Sequence, residues 1–151
     1  MIVYRIAQTK YAQDITGSGA KKYGGRWNRP GVAALYTSQQ RSLCMLELLV
    51  HFNAQAAFKQ DYSFMTIDIG ESDMVDLSHM QYTASDLFLN NESLWRITDK
   101  HFAIDKKSAI KVPSVIIPQE FNIIINPEHS SFGANNLKQI EKAVVDHRLA
   151  L

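Results

Sequence analysis

The order of apolar runs along the 151 residues predicts an α+β fold: mixed, mostly antiparallel sheets with helices inserted between the strands. Three observations carry that expectation. Alternating segments open the chain, two stretches of helical periodicity interrupt it, and β-branched runs divided by Pro113, Pro118 and Asn122 dominate the second half. The regular strand–helix–strand alternation that builds a parallel sheet is not evident. The length fits one domain covering residues 1–151.

Ile2 to Ile6 alternates apolar and polar residues and reads as a first strand. A long polar stretch follows; it holds Gly17, Gly19, Gly24 and Gly25 and reads as a loop. Pro30-Gly31 is turn punctuation before Val32 to Tyr36, the second strand. Thr37 or Ser38 can then cap a helix, with Gln40 at capping-box spacing from Thr37. Leu43, Leu46, Leu49, Val50 and Phe52 carry that helix from Gln39 to Phe52. Met65, Ile67 and Ile69 alternate with Phe64, Thr66 and Asp68, giving a strand, and Met74 to Leu77 reads as a short partner to it. Leu94, Ile97, His101 and Phe102 predict a helix near Glu92 to Ala103, preceded by a short turn around Ser85 to Leu89. Ala109 to Val112, Val115 to Ile117 and Ile123 to Ile125 read as short strands. From Leu137 two assignments stay open: Leu137, Ile140 and Val144 suit a helix, whereas Ala143-Val144-Val145 suits a closing edge strand.

Composition narrows the function classes. With 16 Lys+Arg against 15 Asp+Glu, no global field favours nucleic acid or an anionic membrane, and no direct binding to either is expected. A single cysteine, Cys44, excludes an internal disulfide and a cysteine-built zinc site. The five histidines are scattered without metal-ligand spacing, so no metal is expected. The opening Met-Ile-Val-Tyr-Arg-Ile lacks a secretory leader, and no stretch approaches the roughly 20 apolar residues of a membrane span; a cytoplasmic location is expected.

Four residues sit where packing alone does not put them. Glu47 lies in a helix that is apolar around most of its circumference, and removing a carboxylate from water costs several kcal/mol unless a partner or a cavity receives it. It is either paired with a structural arginine, placed at a solvated edge, or a cleft carboxylate. Arg26 follows two glycines; its planar fork of donors matches phosphate or carboxylate, although a solvated loop arginine has the same sequence. Neither the P-loop nor the dinucleotide glycine pattern is present. Tyr36 ends the second strand just before the helix carrying Glu47, so ring and carboxylate could face one pocket; core packing with the hydroxyl at the rim is the plain alternative. Ser114 reads by composition as a turn residue, with no nucleophile elbow around it. Cys44, one turn before Glu47, reads as a buried inert thiol.

Taken together, Tyr4-Arg5, Gly17-Ser18-Gly19-Ala20, Tyr23-Gly24-Gly25-Arg26-Trp27-Asn28, Tyr36-Thr37-Ser38, Leu46-Glu47-Leu48-Leu49-Val50-His51, Pro113-Ser114-Val115-Ile116-Ile117-Pro118, Asn122 and Asn126-Pro127-Glu128-His129 resemble the RES domain. The match runs in order over nearly the whole chain, and Asp146-His147-Arg148-Leu149 is similar to the family's C-terminal ending, with His147 where a proline is common.

The resemblance implies a fold like that of ADP-ribosyltransferase toxins and a role as toxin in a type II toxin–antitoxin pair. It implies NAD⁺ as substrate rather than as a resident cofactor, consumed by hydrolysis or phosphorolysis of the nicotinamide–ribose bond or by transfer of ADP-ribose to a protein. It also implies an antitoxin partner with an Xre-like helix-turn-helix domain and a homodimer within the larger complex. By position the family's arginine falls on Arg26, its tyrosine on Tyr36, its glutamate on Glu47 and its serine on Ser114, with Asn126 a further pocket position. Arg26 would hold the pyrophosphate, Tyr36 would stack on or flank the nicotinamide, and Ser114 would hydrogen-bond nicotinamide or ribose. Expelling a neutral ring from a cationic one requires no general acid; the barrier lies in an oxocarbenium-like ribose, beside which a fixed charge from Glu47 helps. A non-catalytic partner-binding module is the alternative of a different class, against which the intact Arg26, Tyr36, Glu47 and Ser114 argue.

Overall fold

A computed structural model of the chain describes residues 1–51, 60–83, 91–146 and 148. Seven strands among these form one sheet: β1 (Ile2–Gln8), β2 (Leu35–Ser38), β3 (Tyr62–Asp68), β4 (Met74–Asp76), β5 (Ala109–Pro113), β6 (Phe121–Ile125) and β7 (Leu137–Ala143). Their order across the sheet is β4-β5-β6-β2-β1-β3-β7. Every neighbouring pair is antiparallel except β4 with β5. Among the described residues three α-helices accompany the sheet: α1 (Ser18–Tyr23), α2 (Arg41–His51) and α3 (Glu92–Asp99), the last continuing into a wider helical turn over Lys100–Ile104. The architecture is the expected α+β fold with a mixed, mostly antiparallel sheet.

The alternation of side chains explains how both faces acquire a core. On β6, Ile123 and Ile125 point to one face, where they join Val3, Leu35, Met65 and Ile67; Ile124 points to the other, joining Trp27, Leu94, Ile110 and Val112. A strand covered on both sides reads as a continuous apolar run, as Ile123 to Ile125 does. The second face divides further. Ile6, Phe64 and Tyr62 pack under Leu48 of α2, while α3 covers Ile110, Val112 and Ile124 through Leu94 and Phe102. Between these two clusters the floor is β2, and that is where the cavity described below opens.

Several elements depart from the sequence reading for identifiable reasons. The glycine-bearing stretch contains α1, which is only six residues long and buries none of them, so it leaves no apolar period. β2 begins at Leu35 and reaches Ser38. Thr37 and Ser38 do not cap α2: the Thr37 hydroxyl donates to the Ile123 carbonyl at 2.7 Å and that of Ser38 to Asn122 Oδ1 at 2.5 Å, so both tie β2 to β6. α2 itself is one-sided, with Leu43, Cys44 and Leu48 buried and Leu46 and Val50 exposed. β4 pairs in parallel with β5 and not with β3. Val115 to Ile117 is no strand but part of the connection from β5 to β6, bounded by prolines that cannot donate to a ladder. The C-terminal segment is strand, but over Leu137–Ala143, whose apolar spacing suits a helix, and not over Ala143-Val144-Val145: β7 ends at Ala143 on the sheet edge, with Val144 86% exposed beyond it. The turn expected at Ser85 to Leu89, Phe52, His147 and Leu149 lie outside the described residues. Among the described residues no helix is long and apolar enough to cross a membrane.

Candidate active site

Glu47 projects from the sheet-facing side of α2, one turn after Cys44. Its Oε1 accepts two hydrogen bonds, from Asn122 Nδ2 at 2.7 Å and from the Ser114 hydroxyl at 3.1 Å. Each donor is itself held. Asn122 stands opposite Ser38 in the β2–β6 ladder and accepts that residue's hydroxyl proton, which fixes its amide with the NH₂ toward Glu47. Ser114 is fully buried, and its oxygen also accepts the backbone N–H groups of Ile116 at 3.0 Å and Ile117 at 3.2 Å. That hydroxyl is saturated: its proton goes to Glu47 and its lone pairs to two amides. Its hydroxyl is thus directed at the carboxylate, and Ser114 itself does not line the cavity, as the expected contact with nicotinamide or ribose would require.

Both donors to Glu47 are neutral. Among the described residues no cation lies within ion-pairing distance of it, and Oε2 makes no hydrogen bond. Of the readings open at the sequence level, the ion pair with a structural arginine is absent. What remains is a half-buried carboxylate lining a cavity, one oxygen anchored and the other available.

The cavity measures about 460 Å³. Its origin is a parting of the sheet. β1 and β2 pair only at Tyr4↔Ser38, so beyond that point the two strands separate. Ile6, Tyr36 and Ser38 line the space from one face of the sheet, and Arg5 and Thr37, whose side chains belong to the opposite face, reach it through the gap. Sequence reasoning singled out neither Arg5 nor Asn122 as a functional residue. Arg5 now stands out physically: its Nε is buried without a hydrogen-bond partner, and among the described residues its guanidinium makes no ion pair. Burial pushes its pKa down, with the Asp14 carboxylate opposing that shift from beyond ion-pairing distance. A desolvated cation facing a cavity calls for an anion.

Arg26 lines the cavity from the loop after α1. The loop is drawn tight against Tyr36. The phenol oxygen accepts the backbone N–H of Trp27 at 2.9 Å and donates to Asn28 Oδ1 at 2.7 Å. Asn28, 1% exposed, in turn donates to the carbonyls of Ala20 and Val32. A Cβ on Gly25 would sit 2.6 Å from the Tyr36 hydroxyl, so this close approach needs glycine. Burial pushes the Tyr36 phenol up to about 12, so it stays protonated and donating at any physiological pH. The ring borders the cavity as expected, but its hydroxyl serves the loop. Cys44 donates to the Tyr4 carbonyl at 3.0 Å, and burial pushes its thiol up to about 11, in keeping with an inert residue.

The structure thus brings Glu47, Arg26 and Tyr36 to one cavity, with Ser114 directly behind the carboxylate. It does not bring Asn126 there. Asn126 follows β6 at its far end, where its amide donates to the Lys107 carbonyl at 3.2 Å and its Oδ1 accepts the Glu128 N–H at 3.1 Å, closing a turn. It borders a separate groove with Arg29 and Phe102. The asparagine that faces the site is Asn122, four residues earlier and within β6.

Comparison with known proteins shows the family. Residues 2–146 match the RES domain. The chain is 33% identical to Toxin Res of Photorhabdus laumondii subsp. laumondii, covering 99% of this chain and 97% of that protein. It is 34% identical to the Prs ADP-ribosylating toxin of a Sphingobium species, covering 95% and 91% respectively. In fold it is similar to a chain of the crystal structure of the M. tuberculosis MbcT–MbcA toxin–antitoxin complex, with a TM-score of 0.72 over 94% of this chain and 83% of that one at 21% identity. A family match over almost the entire sequence, and relatives of about the same length above 30% identity, show that the chain belongs to the RES domain family.

Proposed function

We propose that this chain is the toxin of a type II toxin–antitoxin pair and consumes NAD⁺ by cleaving its nicotinamide–ribose bond. The observation that carries the reading is Glu47: a carboxylate anchored through one oxygen by Asn122 and Ser114, unpaired with any cation of the described residues, and lining a cavity that also presents Arg5 and Arg26. Such a constellation suits a substrate with an anionic pyrophosphate and a ribose that becomes cationic.

The C1′–N bond breaks with its electron pair going to the nicotinamide nitrogen, so positive charge leaves the ring and develops on the ribose. Glu47 Oε2 beside that ribose stabilises the transition state more than the ground state, which is the condition for raising kcat. Preorganisation strengthens the effect, because Asn122 and Ser114 hold the carboxylate before substrate arrives. Arg5 and Arg26, which both line the cavity, offer donors to the two phosphates. An acceptor oxygen then attacks C1′ and loses its proton. Water gives hydrolysis, phosphate gives phosphorolysis, and a protein side chain gives ADP-ribosylation. The relative from Sphingobium, named as an ADP-ribosylating toxin, favours keeping the protein acceptor as a second reading.

The partner in this reading is an antitoxin with an Xre-like helix-turn-helix domain, bound to a toxin homodimer. The test is nicotinamide release by purified protein given NAD⁺, with label in the ADP-ribose half followed into the free and macromolecular fractions. Release that falls at least about 100-fold in Glu47→Gln and strongly in Arg26→Ala is expected. No release by the unmodified chain, or release unchanged in both variants, overturns the reading.

A further inference from the structure

The loop carrying Arg26 is held from two sides, and only one of them belongs to the cavity. On the sheet side stand Tyr36 and Asn28, described above. On the other side is α3. Trp95 Nε1 donates to the Gly25 carbonyl at 2.9 Å, and Arg29 Nε meets Asp99 Oδ2 at 2.9 Å. Trp95 and Asp99 are four residues apart on a helix and so lie on one face. That face grips the loop at residue 25 and again at residue 29, on either side of Arg26. Neither Trp95 nor Asp99 lines the cavity.

The first grip acts directly on Arg26. The Gly25 carbonyl and the Arg26 N–H are parts of one planar peptide unit. Fixing the carbonyl therefore fixes the plane from which the Arg26 side chain departs. Gly25 has no side chain to do this, and one cannot be added, since Tyr36 occupies the space. α3 is itself anchored in the sheet, by Leu94, 1% exposed, and by Phe102 beyond its end, packed among Ile110, Val112 and Ile124 in a cluster that the loop's Trp27 also joins. The helix has its own foundation in the sheet and can impose a direction on the loop.

We propose that Trp95 and Asp99 are positioning residues: α3 latches the glycine loop at two points and so sets the direction from which the Arg26 guanidinium meets an anionic ligand. The inference rests on the reading that Arg26 binds the pyrophosphate of the substrate. It adds a helix outside the cavity to the parts that determine affinity. Because the latch acts on ground-state anion binding, it governs KM and ligand affinity and leaves the charge of Glu47, and hence kcat, nearly untouched.

Trp95→Phe keeps an aromatic ring in place and removes the donor; Asp99→Asn keeps the size and removes the charge at a half-exposed site where folding is not at risk. With ADP-ribose as the probe, each variant should bind roughly fivefold to tenfold more weakly, the range for losing one hydrogen bond. For NAD⁺ turnover, KM should rise by a similar factor with kcat within about twofold. In an Arg26→Ala background the Trp95→Phe effect on ADP-ribose affinity should vanish, because the two residues act through one contact. Amide exchange at residues 25–28 should speed up in Trp95→Phe while β1 and β3 stay protected. Unchanged loop exchange, or a Trp95→Phe penalty that persists in full without Arg26, overturns the latch. Failure of the functional reading looks different: the unmodified chain would then neither bind ADP-ribose nor release nicotinamide, while loop exchange still reports whether α3 holds the loop.

Discussion

At Glu47 one carboxylate oxygen, Oε1, is held by Asn122 and Ser114, and the proposed function gives the other, Oε2, to the substrate. The division makes the supporting residues testable apart from the carboxylate itself. Asn122→Ala removes the shorter of the two bonds and leaves the charge in place, so nicotinamide release should fall by about tenfold to 100-fold, the worth of a hydrogen bond to a charged group, with KM changing less than kcat. Tyr36→Phe removes a hydroxyl that serves the loop, so its cost should appear in KM, through Arg26. The same variant has a signature in alkaline stability. The folded phenol titrates near 12 and an unfolded one near 10, so the folded state retains its proton to higher pH; the stabilisation is fully present below about pH 10 and is lost as pH rises from there toward 12. Urea unfolding across pH 9 to 12 should show a shallower decline in Tyr36→Phe than in the unmodified chain. Residue chemistry was only partly legible in advance. Glu47 was visible because a carboxylate in an apolar helix needs a reason. Asn122 was not, because an asparagine between apolar runs reads as turn punctuation. Arg5 was hidden because a polar residue in an alternating strand reads as solvent-facing until the parting of β1 from β2 is known.

Among the elements, the loop after α1 and the short β2 define the site between them, and both were the least legible parts of the fold. α1 has six residues and buries none, so neither periodicity nor a run of helix formers announces it. Val115 to Ile117 misled in the opposite way: three β-branched residues satisfy strand propensity, yet they are flanked by prolines, and the first polar group there, Ser114, needs the backbone amides of Ile116 and Ile117 turned back toward it. β3 and α2 were recoverable because their buried residues follow a period of 2 or 3.6, β1 because its sequence alternates apolar and polar residues, and β6 because a β-branched run covered on both faces reads as a strand. The element-scale prediction concerns Gly25→Ala. Its new methyl group would meet the Tyr36 hydroxyl and the Asn28 amide, forcing the loop away from the sheet. A displacement near 1 Å can cost on the order of 100-fold in activity. The variant should lose kcat/KM by one to two orders of magnitude, while circular dichroism shows the sheet unchanged.

For the molecule as a whole, the cavity and the core share their walls. Ile124 belongs to the second core cluster and also lines the cavity, so shortening it loosens both. Ile124→Ala should lower stability by about 2–5 kcal/mol in denaturant unfolding, with a weakened affinity for ADP-ribose as the floor relaxes. The sheet parts between β1 and β2 while remaining laddered on their outer sides, to β3 and to β6. The account depends on the Glu47 charge acting on the ribose as the bond to nicotinamide breaks. The most direct measurement is kcat and KM for nicotinamide release by Glu47→Gln, a change that preserves shape and removes the charge. The account predicts kcat lower by about 100-fold or more with KM within a few-fold. An unchanged kcat, or a loss confined to KM, would contradict it.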